Sequence, residues 1–131
     1  MRVYSYDEAR RLVPELSRAI TQMREAARGL AEVKARLQAA KTGLERRNLE
    51  TEARFLEQSL EADRRWLESH GVVLRDLEEG VVDIPFRRGG ELVYLTWRLG
   101  EEAPANWHGL TEDYHLRRPL SEGEEGPARR G

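Results

Sequence analysis

The chain has no cysteine, almost no net charge and no long apolar run, and each absence removes a class of function. Without cysteine, its 131 residues hold no disulfide, no thiolate zinc or iron–sulfur ligand and no cysteine nucleophile. Mean hydropathy is -0.74, and no segment approaches the ~18 apolar residues of a membrane span or the apolar stretch of a signal peptide. We therefore expect a cytoplasmic protein of one domain.

Basic and acidic side chains nearly cancel, at 22 Lys and Arg against 24 Asp and Glu. Of the basic residues 20 are Arg, which is a thermophile-like composition and is also typical of guanine-rich genomes. The net charge is +2 over residues 1–70 and -4 over residues 71–131. Neither half has the one-sided positive field that a nucleic-acid backbone requires, so nucleic-acid binding is disfavoured.

A long amphipathic helix is predicted to begin near Tyr6. Ser5 and Glu8 match a capping box, in which each side chain accepts a hydrogen bond from a free amide at the helix start. Pro14 lies inside the helix, and it predicts a kink or a break. Apolar or small residues recur at steps of three and four through a seam formed by Tyr6, Ala9, Val13, Leu16, Ile20, Met23, Ala27, Leu30, Lys34 and Leu37.

A second helix is predicted after a reversal at residues 40–43, where Gly43 has the conformational freedom to end the first helix. It ends at His70-Gly71. A helix of roughly 30 residues is about 45 Å long, so either the rest of the chain folds back along the hairpin or a second copy packs against it. We expect a homodimer through the helices. The second seam contains Leu49, Ala53, Leu56, Leu60, Asp63 and Leu67, widened by Phe55, Ala62 and Trp66.

After Gly71 the pattern predicts a small antiparallel sheet and an ordered C-terminal loop. Gly89-Gly90 supplies a hairpin turn, and Pro85 favours an edge strand or a bulge. The fold class is therefore α+β, with one domain over 1–120 that divides into a helical hairpin (6–70) and a β-rich part (71–120), and a disordered tail over 121–131. The predicted strands are Val72–Leu74, Val81–Phe86 and Glu91–Leu99.

His108 is the centre of two hypotheses about a functional site. With Asp113 and His115 it could hold a divalent metal, since imidazole and carboxylate suit such ions, although no complete metal motif is present. Alternatively His108 acts as a proton donor or acceptor that a carboxylate such as Asp83 orients. The structural alternative is a half-buried histidine bonded to backbone.

Asp83 stands among apolar residues. Alternation predicts that it points away from Val82, Ile84 and Phe86 and faces solvent, and the alternative is a buried acid paired with Arg98 or Arg117. The ligand-binding candidates are Asp83, Trp97, Trp107, His108 and Arg117. Trp97 alternates with Val93 and Leu95, which favours a place in the core over a ligand contact.

Several segments resemble a bacterial and archaeal family known as domain of unknown function 2203. The resemblance covers residues 3–120, and it rests on residues 4–9 (Tyr-Ser-Tyr-Asp-Glu-Ala), 12–15 (Leu-Val-Pro-Glu), 71–77 (Gly-Val-Val-Leu-Arg-Asp-Leu), 80–85 (Gly-Val-Val-Asp-Ile-Pro), 93–101 (Val-Tyr-Leu-Thr-Trp-Arg-Leu-Gly-Glu) and Trp107-His108. Members commonly have cysteine where this chain has Thr96, and Gly-Phe-x-Gly-Arg where it has Asp113–Arg117. The resemblance implies no activity. It supports the architecture and favours Asp83, Trp107, His108 and Arg117 over His115.

The length of the helical seam, together with the absence of a complete catalytic motif, favours a self-associating interaction or scaffold module that could also bind another protein. The alternative is a small metal- or ligand-binding protein, which could be a hydrolytic enzyme, with a site around His108. Mutation of His108 separates them, since only a metal site would lose an ion and the stability that it confers.

Overall fold

The computed structural model describes residues 2–121, which form two long helices followed by a five-stranded antiparallel sheet. This is the predicted α+β class. The tail predicted for residues 121–131 lies outside the described residues, apart from Ser121. No helix in the described part of the chain is long and apolar enough to cross a membrane.

Helix α1 spans Tyr6–Ala39 and begins at the predicted capping box. The Glu8 amide donates to the Ser5 hydroxyl oxygen, and the Ser5 amide donates to the Glu8 carboxylate at 2.8 Å. The helix continues through Pro14 without a break. Pro14 is exposed, so water can solvate the Arg10 carbonyl that lacks its helical partner.

Helix α2 spans Gly43–Ser69, so the prediction that Gly43 ends the first helix is wrong. Gly43 is instead the first residue of α2, because Thr42 caps this helix by accepting from the Glu45 amide. The predicted end at His70-Gly71 is confirmed: His70 is the C-cap and Gly71 has a φ of +72°.

The α1 seam is confirmed as far as Met23 and then shifts by one residue, since Ala26 and Val33 are buried in place of Ala27 and Lys34. Beyond Met23, α1 no longer belongs to the core under the sheet and packs on α2, so a different face of the helix is buried there. On α2, Phe55 and Ala62 do not widen the buried seam: both are exposed, Phe55 by 70%.

The sheet contains five strands in sequential order, each antiparallel to the next: β1 (Val73–Asp76), β2 (Val81–Arg88), β3 (Glu91–Arg98), β4 (Asn106–Gly109) and β5 (Arg118–Pro119). The predicted hairpin turn between β2 and β3 is confirmed. The segment predicted as a loop over residues 100–120 contains β4, β5 and a 3-10 helix at Tyr114–Leu116.

One face of the sheet packs against the hairpin. Val82, Ile84 and Phe86 of β2 pair with Trp97, Leu95 and Val93 of β3, and all six are buried in the main core. This core includes α1 only as far as Met23 and the C-terminal end of α2. The sheet therefore folds back along the near half of the hairpin, and in the far half α1 and α2 pack on each other through residues such as Val33 and Leu49.

Pro85 does not move its strand to the edge, because β2 lies between β1 and β3. However, β1 pairs only with Val81–Asp83, so at Pro85 the outer side of β2 faces no strand. The Pro85 carbonyl accepts there from the Tyr4 amide at 2.9 Å. The missing proline N–H faces the same side and removes no bond to β3.

Candidate functional site

A charged side chain lies at the centre of the second face of the sheet, the face opposite the helices. Asp83 is 0% exposed, so the prediction that it faces solvent is wrong. Its Oδ1 accepts from the Thr96 hydroxyl at 2.7 Å. Its Oδ2 accepts from Arg75 Nε at 2.7 Å and lies 2.8 Å from His108 Nε2. These three partners compensate for the loss of hydration that burial of a carboxylate entails.

Strand register explains why these groups meet. Asp83 is opposite Thr96, and Tyr94, two residues away on the same face, is opposite His108. Alternation therefore places Asp83, Thr96, Tyr94 and His108 on one face.

Arg75 reaches Asp83 from a β-bulge in the edge strand. The β1–β2 register shifts between Leu74 and Asp76, so Arg75 is the extra residue. Bulges re-aim side chains in this way. The Arg75 guanidinium also lies 5.2 Å from the centroid of the Tyr94 ring, which adds a cation–π contact to its bond with Asp83.

The hydrogen bonds of His108 define how many protons the network holds. Its Nδ1 lies 2.8 Å from the Gly109 carbonyl oxygen, which can only accept, so Nδ1 carries a proton. The 2.8 Å contact between Nε2 and Asp83 requires a second proton on one of the two atoms. Asp83 and His108 are therefore neutral as a pair, whichever atom holds that proton. Arg75 gives the network one net positive charge.

A cleft of about 440 Å³ opens beside Arg75 and is otherwise lined by residues 110–114. The Arg75 side chain is 32% exposed, whereas Asp83 and His108 lie fully buried behind it. Within residues 2–121 the two terminal nitrogens of Arg75 have no hydrogen-bond partner. Arg75 is thus held at Nε by Asp83 and lines the cleft, with its two terminal nitrogens available to a ligand.

Two carboxylates of the cleft wall already have partners. Glu112 accepts from the Gly109 amide and from Arg118, and the Arg118 contact followed by the amide bond lowers the Glu112 pKa. The amide and then the side chain of His115 lower the pKa of Asp113. Both acids are therefore ionised at neutral pH, and their carboxylates are bonded to groups other than Arg75.

Tyr114 supplies a hydroxyl at the same cleft. It donates to Asp76 at 3.3 Å, and loss of hydration, followed by the Asp76 charge, raises its pKa. The hydroxyl therefore stays protonated at neutral pH and remains a hydrogen-bond donor.

The other ligand-binding candidates lie elsewhere. Trp97 is fully buried in the main core, and Trp107, opposite Leu95, lies on the helix side of the sheet. The guanidinium groups of Arg88 and Arg118 lie 4.2 Å and 4.4 Å from the Trp107 ring centroid. Arg117 donates to the Tyr114 carbonyl. Among the five candidates, Asp83 and His108 are joined by a direct side-chain contact.

The candidate metal ligands His108, Asp113 and His115 are not brought together. His108 is buried with both ring nitrogens engaged, whereas His115 and Asp113 pair with each other on the surface. Within residues 2–121 no group of three or more His, Cys, Asp and Glu side chains could hold a metal ion.

Arg75, Thr96 and Tyr94 are network residues that sequence reasoning did not select as site candidates. Tyr94 could have been found by alternation, since it lies two residues before Thr96 on a predicted strand. Arg75 could not, because its orientation depends on a bulge that has no local sequence signal. The partner expected for a buried Asp83 was Arg98 or Arg117, and the structure supplies Arg75 instead.

The fold and the network together define an α+β protein in which a helical hairpin covers one face of a meander sheet, and a buried Asp–His pair bonded to a partly exposed arginine occupies the other. The chain belongs to the family described as an uncharacterized conserved protein (DUF2203), whose model matches residues 2–120. The resemblance seen in the sequence is thereby confirmed. No curated protein and no solved structure matches the chain.

Proposed function

We propose that this protein binds a small oxyanion, a carboxylate or phosphate group, in the cleft at Arg75. The observation that carries the proposal is the way Arg75 is held: a fully buried carboxylate binds its Nε, the residue lines the cleft, and its two terminal nitrogens have no hydrogen-bond partner within residues 2–121. A guanidinium fixed on one edge presents two parallel N–H donors, which is the geometry that carboxylates and phosphates accept.

The net charge of the network supports an anionic ligand. Because the Asp83–His108 pair is neutral as a whole, the positive charge of Arg75 is not cancelled by the carboxylate that orients it. A neutral His108 beside an ionised Asp83 would instead place a lone pair against a carboxylate oxygen. His108 thus serves as a positioning residue that keeps the cleft attractive to anions.

His108 is less suited to general acid–base catalysis on a ligand in the cleft. Its side chain is 0% exposed, and both ring nitrogens are engaged by Gly109 and Asp83. A catalytic base must come within about 3 Å of the proton that it removes. Binding, rather than hydrolysis, is therefore the function that this geometry favours.

The test is calorimetric titration of the protein with inorganic phosphate and with acetate. Arg75→Gln should weaken binding by about 10- to 100-fold, the usual value of a charged hydrogen bond. Arg75→Lys keeps the charge but loses the two-pronged donor, so it should bind phosphate with intermediate affinity. Arg87→Gln is the matched control, because Arg87 is an exposed arginine on β2, and it should bind as the parent does.

Circular dichroism of each variant checks that it is folded. If Arg75→Gln does not fold, the test uses Arg75→Lys, which keeps a cation near Asp83. The proposal is wrong if the parent binds neither anion, or if Arg75→Lys and Arg87→Gln weaken binding equally.

A second candidate function is self-association of the helical hairpin, as an interaction module. The specific observation in its favour is the exposure of two large apolar side chains on α2, Leu44 at 63% and Phe55 at 70%. Their spacing of eleven residues places both on one face of α2, and apolar groups that share an exposed face become a contact surface when they belong to one continuous uncharged patch. Analytical ultracentrifugation over a range of concentrations tests it, and a monomer at every concentration would exclude it.

A further inference from the structure

Helix α2 has a second seven-residue pattern besides the seam that packs on α1. We call it the neutral stripe, and it consists of Leu44, Asn48, Thr51, Phe55, Gln58 and Ala62. Successive members are four, three, four, three and four residues apart, the spacing that keeps side chains on one face of a coiled coil. All six are exposed and none is charged.

The stripe stands out because the rest of the exposed surface of α2 is strongly charged. Between residues 43 and 69, twelve side chains are acidic or basic, and none interrupts the stripe from Leu44 to Ala62. A solvated helix face has no physical reason to avoid charge over five turns. A face that packs against another helix does, because burial of unpaired charges is costly.

Charges of opposite sign flank the two sides of the stripe. Glu45 and Glu52 border the side that faces α1, and Arg47 and Arg54 border the other side, which ends in Glu61 beside Ala62. In heptad terms the acids occupy position e and the arginines position g. Parallel helices bring position g of one chain against position e of its partner, whereas antiparallel helices bring like positions together.

We propose that two copies of this chain associate through the neutral stripe, with their α2 helices parallel and Phe55 packed against Phe55 of the second copy. The inference rests on the second candidate function, self-association. To that function the inference adds which surface forms the dimer and how the two helices are oriented. In this arrangement Arg47 of each copy faces Glu52 of the other, which gives two intermolecular ion pairs related by the twofold axis.

A cleft at the far end of the hairpin supports this surface. It measures about 350 Å³ and is lined by members of the stripe, Leu44 and Asn48, together with Glu52 and Arg36. It lies on the acidic flank, where the parallel arrangement directs Arg47 of the second copy. The guanidinium of that residue would enter the cleft beside Glu52.

The first test is sedimentation velocity of the full chain over a wide concentration range. We expect a dimer that dissociates on dilution, because the stripe has only two large apolar side chains. Phe55→Glu should raise the dissociation constant at least about tenfold, since it places two like charges on the twofold axis. Leu116→Glu is the matched control: Leu116 is 61% exposed and lies in the 3-10 helix, away from α1 and α2 in the sequence, so the variant should dimerise as the parent does.

Orientation is tested by single cysteines, which are unique in a chain that has none. Asn48→Cys and Ala62→Cys lie near opposite ends of the stripe. In a parallel dimer each residue meets its own copy, so both variants should form disulfide-linked dimers under mild oxidation. In an antiparallel dimer centred on Phe55, neither would cross-link with itself.

The outcomes distinguish a failure of the proposed dimer surface from a failure of the proposed self-association. A chain that is monomeric at all concentrations overturns both the second candidate function and this inference. A dimer that tolerates Phe55→Glu shows self-association through another surface and overturns the inference alone. A dimer that needs Phe55 but does not cross-link at positions 48 and 62 overturns the parallel orientation.

Discussion

Asp83 illustrates how a sheet accommodates a charge with no exposed surface. Its two oxygens are hydrogen-bonded to Thr96, Arg75 and His108, on three different strands. The carboxylate therefore links β1, β3 and β4 to β2. Removing one member of a buried charged pair is costly because the remaining member keeps its desolvation penalty.

Asp83→Asn should lower the free energy of unfolding by about 3–5 kcal/mol, because it leaves the buried His108 and the inner edge of Arg75 without an anion. Thr96→Val should lower it by only about 1–3 kcal/mol, since one acceptor site is left unpaired. Urea denaturation measures both. A loss under about 1 kcal/mol for Asp83→Asn would mean that the network does not stabilise the fold.

Gly80 is a second residue at which a small change has a large effect. Its φ is +71°, and an added Cβ would lie 2.6 Å from the Leu99 Cβ. Gly80→Ala should therefore destabilise the fold by about 1–3 kcal/mol through backbone strain. In Gly90→Ala the new Cβ meets nothing within 4 Å, and the same thermal unfolding experiment should find this control nearly neutral. Equal losses would refute the steric explanation.

The elements differ in how far the sequence predicts them. Capping and periodicity predict α1 because Ser5, Glu8 and the apolar seam act locally. Strands β2 and β3 are predicted for the same reason, from alternation around a glycine turn. Strand β4 is missed because Asn106–Gly109 shows no apolar alternation and becomes a strand only by pairing with β3.

The segment that follows β4 is held by Glu112, whose carboxylate accepts from the Gly109 amide at 2.6 Å. The pKa of Glu112 is lowered in the fold, so its contacts stabilise this segment at neutral pH and are lost as the pH falls through a folded value below 4.5. The Gly109 amide proton should shift upfield in NMR spectra over that range. In Glu112→Gln the shift with pH should be absent, and an unchanged titration there would contradict the assignment.

At the scale of the whole molecule, the hairpin covers one face of the sheet and leaves the second face to a polar network and a cleft. The contact between Asp83 and His108 joins residues 25 positions apart. The sequence identified both as candidates without establishing that they meet. The pairing register of strands that are far apart in sequence determines that contact, and the bulge in β1 determines the position of Arg75. The sequence therefore predicts the architecture and half of the site.

The far half of the hairpin is the part of the molecule that the sheet does not reach. There α1 and α2 pack on each other, and the exposed side of α2 carries the first part of the neutral stripe, from Leu44 to Phe55. The sequence analysis argued that helices of this length need either the rest of the chain or a second copy packed along them. That argument applies to the far half, where the sheet does not pack.

Oxyanion binding at Arg75 is the central claim, and the most direct measurement is the NMR signal of the Arg75 Nε–H during titration with inorganic phosphate. We predict a saturable shift of this signal together with the amides of residues 110–114, and no such shift with sodium chloride at equal ionic strength. A signal that responds to neither salt, or equally to both, would contradict the claim.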